Sequence, residues 1–128
     1  MRLKITYKFE LKGVEMKILF TAKGKSWEDL VDPRFGRAEM FVVYDEDKDE
    51  LTAISNDEAK QKAHGVGLQS AKKALEAGVD AIITGNGAGE KALEILEKSN
   101  IKVYVGAGEV TLENAYKAFK EGRLQLQF

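Results

Sequence analysis

The stretch VDAIITGNGAGEKALEILEKSNIKVYV, residues 79–105, decides the fold of this 128-residue chain. The apolar run at 79–84 is typical of a strand, and the apolar residues after its glycine-rich loop recur at helical spacing until Asn100. A second apolar run, 101–105, has the pattern of another strand. A strand, a helix and a strand in succession form a right-handed crossover between parallel strands. The stretch therefore predicts the parallel half of an α/β sheet.

Upstream of this stretch, the pattern indicates antiparallel strands. The run 16–21 is apolar enough for a central strand, and the runs 40–44 and 51–54 around an acidic turn are typical of a hairpin. Helical spacing predicts two more helices, at about 66–78 and 111–122. We expect an α/β fold that matches a ribonuclease H-like three-layer sandwich, with a mixed five-stranded sheet and three helices.

Both ends of the chain alternate in character. In residues 1–15, apolar and charged side chains alternate with a period of two, which predicts an extra N-terminal strand in an extension before a domain at 16–128. Leu124, Leu126 and Phe128 alternate with glutamines in the same way. Because unpaired sheet edges favour association, we expect the ends to pair with each other or with a second copy, as a homodimer.

Composition and charge exclude several classes of function. The chain has 20 basic and 21 acidic residues, so no overall positive field attracts nucleic acid. No apolar run approaches the roughly 20 residues that cross a bilayer, and no continuous apolar leader opens the chain, so we expect no membrane association and a cytoplasmic protein. Cysteine is absent, which removes thiolate metal sites and thiol nucleophiles. Strand 16–21 contains no acidic residue, which argues against a two-metal nuclease.

Three short glycine-containing segments form the candidate site: 34–38 (RFGRA), 64–67 (HGVG) and 84–89 (TGNGAG). Each stands at the end of a predicted strand or at the start of a predicted helix, where an α/β sheet collects its binding loops. The predicted binding residues are Arg34, Gly36, Arg37, His64, Gly65, Gly67, Gly85, Asn86 and Gly87.

These segments offer groups that attract anions. Arg34 and Arg37 supply planar donors, and the helix that starts after Gly65 presents free N–H groups and the positive end of its dipole. His64 is the sole imidazole and the only candidate metal ligand, and one histidine does not hold a bare metal ion tightly. Simpler interpretations stay open: His64 as a polar loop residue, and the two arginines as part of a solvated turn that buries Phe35.

The glycine-rich loop is not a known nucleotide motif. Its glycines, at 85, 87 and 89, lack the spacing of a dinucleotide-binding fingerprint, and no Lys-Ser or Lys-Thr pair of a P-loop follows them. The serines have no nucleophile signature around them, so the sequence does not support a hydrolase.

Five motifs in order identify a family resemblance. They lie at 16–20, 35–38, 64–67, 82–86 and 102–107. Together they resemble the dinitrogenase iron-molybdenum cofactor biosynthesis family, over roughly 16–124. The resemblance implies a ribonuclease H-like fold and a role in binding iron-molybdenum cofactor or its iron–sulfur precursors, with metallocofactor assembly proteins as partners. His64 and Arg37 match the family's histidine and arginine, whereas Arg34 stands where the family often has a second histidine.

We therefore predict a non-enzymatic protein that transiently binds or carries an iron-molybdenum or iron–sulfur cluster, with His64 as its metal ligand. A different class of function is a regulatory module that binds a small anion or a nucleotide phosphate through the same loops. A third is a protein whose sheet edges serve only for assembly with a partner.

Overall fold

The computed structural model describes residues 15–57 and 65–127. The predicted N-terminal strand and His64 lie outside the described residues. The strands are β1 Lys17–Ala22, β2 Met40–Asp45, β3 Glu50–Ser55, β4 Ala81–Ile83, β5 Lys102–Val105 and β6 Gln125–Leu126. The helices are α1 Val66–Ala77, α2 Glu90–Lys98 and α3 Leu112–Lys120.

The described strands form one mixed sheet in the order β3-β2-β1-β4-β5-β6. Strand β1 is parallel to β4, and β4 is parallel to β5. The pairs β1–β2, β2–β3 and β5–β6 are antiparallel. The predicted α/β class, with three helices and a sheet that is half antiparallel and half parallel, is confirmed.

The predicted count of five core strands is wrong, because the described sheet has six. The added strand is the tail of the chain, where Leu126 pairs with Tyr104 and Gln125 with Val105. Gly122 has a φ of 72° just after α3, a conformation that glycine adopts readily. This turn directs the chain back along β5, so the tail meets a strand of its own sheet.

Helices cover the two faces of the sheet unequally. Leu19 of β1 packs into a core with alanines of α1 and α2, whereas its neighbours Ile18 and Phe20 pack into a second core with Leu112 and other residues of α3. All three β1 side chains are completely buried. Burial on both faces explains why the strand is an uninterrupted apolar run instead of an alternating one.

An aromatic cluster fills the α3 side. Trp27, from the loop after β1, lies with its ring centroid 4.9 Å from that of Tyr44, 5.7 Å from that of Tyr116 and 6.1 Å from that of Phe20. The pairs with Tyr44 and Phe20 are edge-to-face, a geometry that contributes about 0.5–1.5 kcal/mol beyond the burial of the ring area. The loop that holds Trp27 is therefore fixed by packing.

A buried carboxylate, that of Glu46, lies on the α3 side directly after the end of β2. Glu46 accepts hydrogen bonds from Tyr116 Oη at 2.5 Å, Lys120 Nζ at 2.8 Å and the Met16 amide at 2.9 Å. Burial by itself would raise the pKa of Glu46, but these donors hold that pKa below its usual value. Burial beside Glu46 also raises the pKa of Tyr116.

None of the helices that the structure describes has the length and apolar character needed to cross a membrane.

Candidate functional site

Strands β1, β4 and β5 end at one edge of the sheet, and the loops there contact each other. We call the segments 32–39, 65–67, 85–89 and 106–108 the rim. The Asn86 amide donates to the Pro33 carbonyl at 2.8 Å, and the Gly106 amide donates to the Gly85 carbonyl at 3.0 Å. Parallel strands place their following loops at the same edge, which explains why segments distant in sequence meet here.

Gly36 brings the arginine turn against the start of α1. A Cβ at Gly36 would lie 2.9 Å from Val66 Cγ2 and 3.2 Å from the Gly67 amide nitrogen. The Gly36 carbonyl accepts hydrogen bonds from Asn56 Nδ2 at 3.0 Å and from Ser70 Oγ at 3.2 Å. Two of the three predicted segments are thus in direct contact, and both arginines of the turn are exposed beside them.

Gly85 brings in the third segment. A Cβ there would lie 2.6 Å from Pro33 Cα and 3.0 Å from Gly108 Cα, so only glycine fits. Beneath it, Thr21 Oγ1 lies 2.8 Å from Thr84 Oγ1 and 2.7 Å from the Asp32 carbonyl oxygen. The described parts of all three predicted segments therefore meet at the rim.

The start of α1 is open. Gly65 precedes the helix with a φ of 79°, no side chain caps it in the described part of the chain, and its first turn contains no acidic residue. Helix α2 begins beside it, with Gly89 as N-cap and likewise no side-chain hydrogen bond to the cap. A Cβ at Gly67 would lie 3.6 Å from Ala92 Cβ in the first turn of α2. Both helix starts therefore lie in the same region, but Glu90 in the first turn of α2 offsets its dipole, so the start of α1 is the one that favours an anion.

Two amides of the glycine-rich loop donate to protein groups and are not open to a ligand. Gln127 Oε1 accepts from the Ala88 amide at 3.0 Å, and Gln127 Nε2 donates to the Ala88 carbonyl at 2.9 Å. A Cβ at Gly87 would lie 2.8 Å from Gln127 Oε1. The amides of Asn86 and Ala88 are therefore used within the protein. The alternating tail signals a strand there but does not reveal that its glutamine reaches this loop.

Arg34 forms an ion pair with Asp32, which is not among the binding residues predicted from the sequence. Asp32 is completely buried and accepts hydrogen bonds from Arg34 Nε at 3.0 Å and Arg34 Nη2 at 2.9 Å. It also accepts from the amides of Arg34 at 3.0 Å and Glu39 at 2.9 Å. Burial by itself would raise the pKa of Asp32, but these donors hold that pKa below its usual value. The Asp-Pro-Arg sequence fits an Asx-type turn, in which Asp32 accepts from the amide two positions on, but it does not indicate that the carboxylate is buried.

The chemistry of the rim suits an anion. Within residues 15–57 and 65–127, no group of three or more His, Cys, Asp or Glu side chains could hold a metal ion. The rim contains amide N–H groups, helix starts and guanidinium groups, which bind negatively charged or sulfide-rich species, together with the carboxylates of Asp32 and Glu39, which pair with Arg34. The described residues form an α/β protein whose rim gathers amide N–H groups, helix starts and guanidinium groups where its parallel strands end.

The chain belongs to the dinitrogenase iron-molybdenum cofactor family, whose model matches residues 16–122. The resemblance inferred from the five motifs is thereby confirmed. An uncharacterised protein of Methanocaldococcus jannaschii is 34% identical over 97 residues, which cover 74% of this chain and 80% of the relative.

Two solved structures have the same fold. The apo form of the orange protein from Desulfovibrio gigas superimposes with a TM-score of 0.81 at 33% identity, over 86% of this chain and 91% of that one. A NifB-like protein of the DUF35 family from Thermotoga, solved by NMR, gives a TM-score of 0.73 at 32% identity, over 87% and 92% of the two chains.

Proposed function

We propose that this protein binds and carries an anionic metal–sulfur cluster, of the iron-molybdenum or iron–sulfur type, without catalysing a reaction. The cluster is cargo that the protein receives and releases. The name of the family supports a connection with iron-molybdenum cofactor. Proteins that assemble such cofactors are the partners that this proposal implies, and the sequence prediction of a cytoplasmic protein belongs to it. We also propose that the fold is related to that of ribonuclease H.

The observation that carries the proposal is the contact of Gly36 with the start of α1. This contact brings the turn with Arg34 and Arg37 to within van der Waals distance of an acid-free helix start. Helix starts and guanidinium groups both favour negative charge, and N–H groups donate hydrogen bonds to cluster sulfurs. An anion placed there would meet both kinds of donor at once.

Each predicted residue has a defined part in the proposal. Arg37 and the amides at 65–67 compensate the charge of the cluster, and the Arg34 guanidinium, whose own charge Asp32 offsets, donates hydrogen bonds to it. Gly85 to Gly87 give the rim its shape, since their loop is packed against Pro33 and Gln127. His64, which precedes Gly65 in the sequence, is the proposed metal ligand and lies outside the described residues.

A single charge at Gly67 tests the site. The probe is tetrathiomolybdate, a dianion of molybdenum and sulfide, and its binding is followed by visible absorbance without oxygen. Gly67→Asp places a carboxylate in the first turn of α1, where it interacts favourably with the helix dipole and repels an anion. A side chain fits there, because its Cβ meets only Ala92 at ordinary contact distance. We expect stability to be kept and affinity to fall roughly tenfold or more.

Gly67→Asn is the matched control, because it has nearly the same shape and no charge, and we expect it to keep most of the affinity. Equal binding by the Asp and Asn variants would remove the α1 start from the site. If inorganic phosphate or a nucleoside triphosphate binds the wild type more tightly than tetrathiomolybdate, the protein is the small-anion regulatory module instead.

A further inference from the structure

We propose that Asp32 is a positioning residue of this site, a buried carboxylate that fixes the Arg34 guanidinium so that it donates directed hydrogen bonds to the cargo. The inference rests on the proposed function and identifies a residue through which that site acts.

The first argument is the geometry of the pair. Asp32 Oδ1 accepts from Arg34 Nε and Asp32 Oδ2 accepts from Arg34 Nη2, a two-point contact that fixes the plane of the guanidinium. A guanidinium carries five N–H bonds in a rigid fork, so the donors that do not face Asp32 point away from it. The Arg34 side chain is 49% exposed, whereas the Asp32 side chain is 0% exposed. The Arg34 guanidinium is thus held by a buried anchor and is itself half-exposed, with Glu39 Oε2 3.7 Å from its Nη2.

The second argument is that the same carboxylate closes the turn. Besides the hydrogen bonds from the Arg34 side chain, the Asp32 carboxylate accepts hydrogen bonds from the amides of Arg34 and Glu39, which lie on either side of Gly36 in the sequence. Its own amide donates to the Thr21 carbonyl at 2.8 Å, which joins it to β1. Asp32 therefore connects the sheet, the arginine and the turn that contacts α1.

The third argument is electrostatic. Arg34 is offset by Asp32 and lies 3.7 Å from Glu39 Oε2, so this part of the rim carries little net positive charge. A neutralised but oriented guanidinium recognises an anion through the direction of its N–H groups. Because screening acts on net charge over distance, we expect cargo affinity to depend only weakly on salt.

A double-mutant cycle on tetrathiomolybdate affinity tests the inference. If Asp32 acts through Arg34, then Asp32→Asn and Arg34→Gln each lower the affinity roughly tenfold, and the double variant is no weaker than either. Losses that multiply in the double variant would overturn the inference. Urea unfolding of each variant gives the stability effect separately. Glu109→Gln is the matched control, because Glu109 pairs with Lys23 at 2.9 Å on the surface, and it should bind like the wild type.

A conservative variant keeps the test decisive if Asp32→Asn does not fold. Arg34→Lys retains the charge but not the fork, so positioning predicts that it binds as weakly as Arg34→Gln. Full binding by Arg34→Lys would overturn the inference and leave a simple charge effect. A wild-type protein that does not bind tetrathiomolybdate would overturn the proposed function, and this inference with it. Wild-type binding with independent losses overturns the inference alone.

Discussion

The two faces of the sheet are covered by different kinds of side chain. On the α3 side, the aromatic rings of Phe20, Trp27, Tyr44 and Tyr116 pack together, and the helix start is capped by Thr111 Oγ1, which accepts from the Asn114 amide. On the other side, α1 and α2 pack through alanines and begin at glycines with no side-chain cap in the described residues. One side satisfies its own polar groups, and the other leaves helix starts available to a ligand.

The difference separates two tasks within one small domain. Large rings and the hydrogen bonds of Glu46 stabilise the α3 side, as the buried residues of the other core stabilise theirs. Small residues let α1 and α2 approach each other closely, so their starts lie side by side at the rim. If the comparison is right, substitutions on the α3 side change stability without changing anion binding.

The largest expected effect is in the core. Phe20→Ala on the α3 side should reduce the free energy of unfolding by about 3–5 kcal/mol, because Phe20 is fully buried and its loss leaves a cavity. Urea unfolding measures the loss, and tetrathiomolybdate affinity at a temperature where the variant is folded should not change. Phe41→Ala is the counterpart, since its ring lies 6.1 Å from that of Phe35 in the arginine turn. That variant should lose both stability and affinity, and equal affinities in the two variants would break the comparison.

Acid should act through the α3 side. Hydrogen bonds from its donors hold the folded pKa of Glu46 below its usual value of 4.5. Its stabilisation is therefore present above about pH 4.5 and is lost as the pH falls through the folded pKa. Glu46→Gln removes charged hydrogen bonds worth about 1.5–3 kcal/mol each and should flatten this part of the stability profile. Urea unfolding between about pH 7 and pH 3 measures both curves. Parallel acid profiles in the two proteins would show that other carboxylates dominate.

The capped helix start provides a smaller test. Thr111→Ala removes the hydrogen bond to the Asn114 amide and should cost about 1 kcal/mol of stability. Thr111→Ser keeps the hydroxyl and is the control. Both variants should bind tetrathiomolybdate as the wild type does, because this start is already satisfied by protein groups. Weaker binding by the alanine variant alone would place α3 in the site.

The smallest expected effect is a gain. Gly67→Ala should raise the stability by about 0.5–1 kcal/mol, because alanine loses less backbone entropy than glycine in a helix. Its Cβ would meet only Ala92 Cβ at 3.6 Å. Thermal unfolding measures the gain, which would mean that stability does not require glycine at this position. A loss would instead show that α1 and α2 pack too closely for a methyl group.

Much of the fold is predictable because its strands carry local signals. The run at 16–21 is apolar on both faces, and the loop of glycines after β4 has a clear strand and helix around it. Asp32 and Gln127 are not predictable in the same way, because both are polar residues in segments that resemble exposed loops or edges. Their hydrogen-bond partners, the amides of Glu39 and Ala88, become apparent only in the folded structure. Ala88 is 39 residues from Gln127 in the sequence. The N-terminal strand, the domain boundary and the role of His64 stay predictions.

The two hydrogen bonds between the Gln127 side chain and Ala88 have a practical consequence for experiments with this protein. An affinity tag or fluorescent fusion joined after Phe128 would lie one residue from the side chain that holds the glycine loop through Ala88. Quantitative titrations therefore call for material from which such additions have been cleaved.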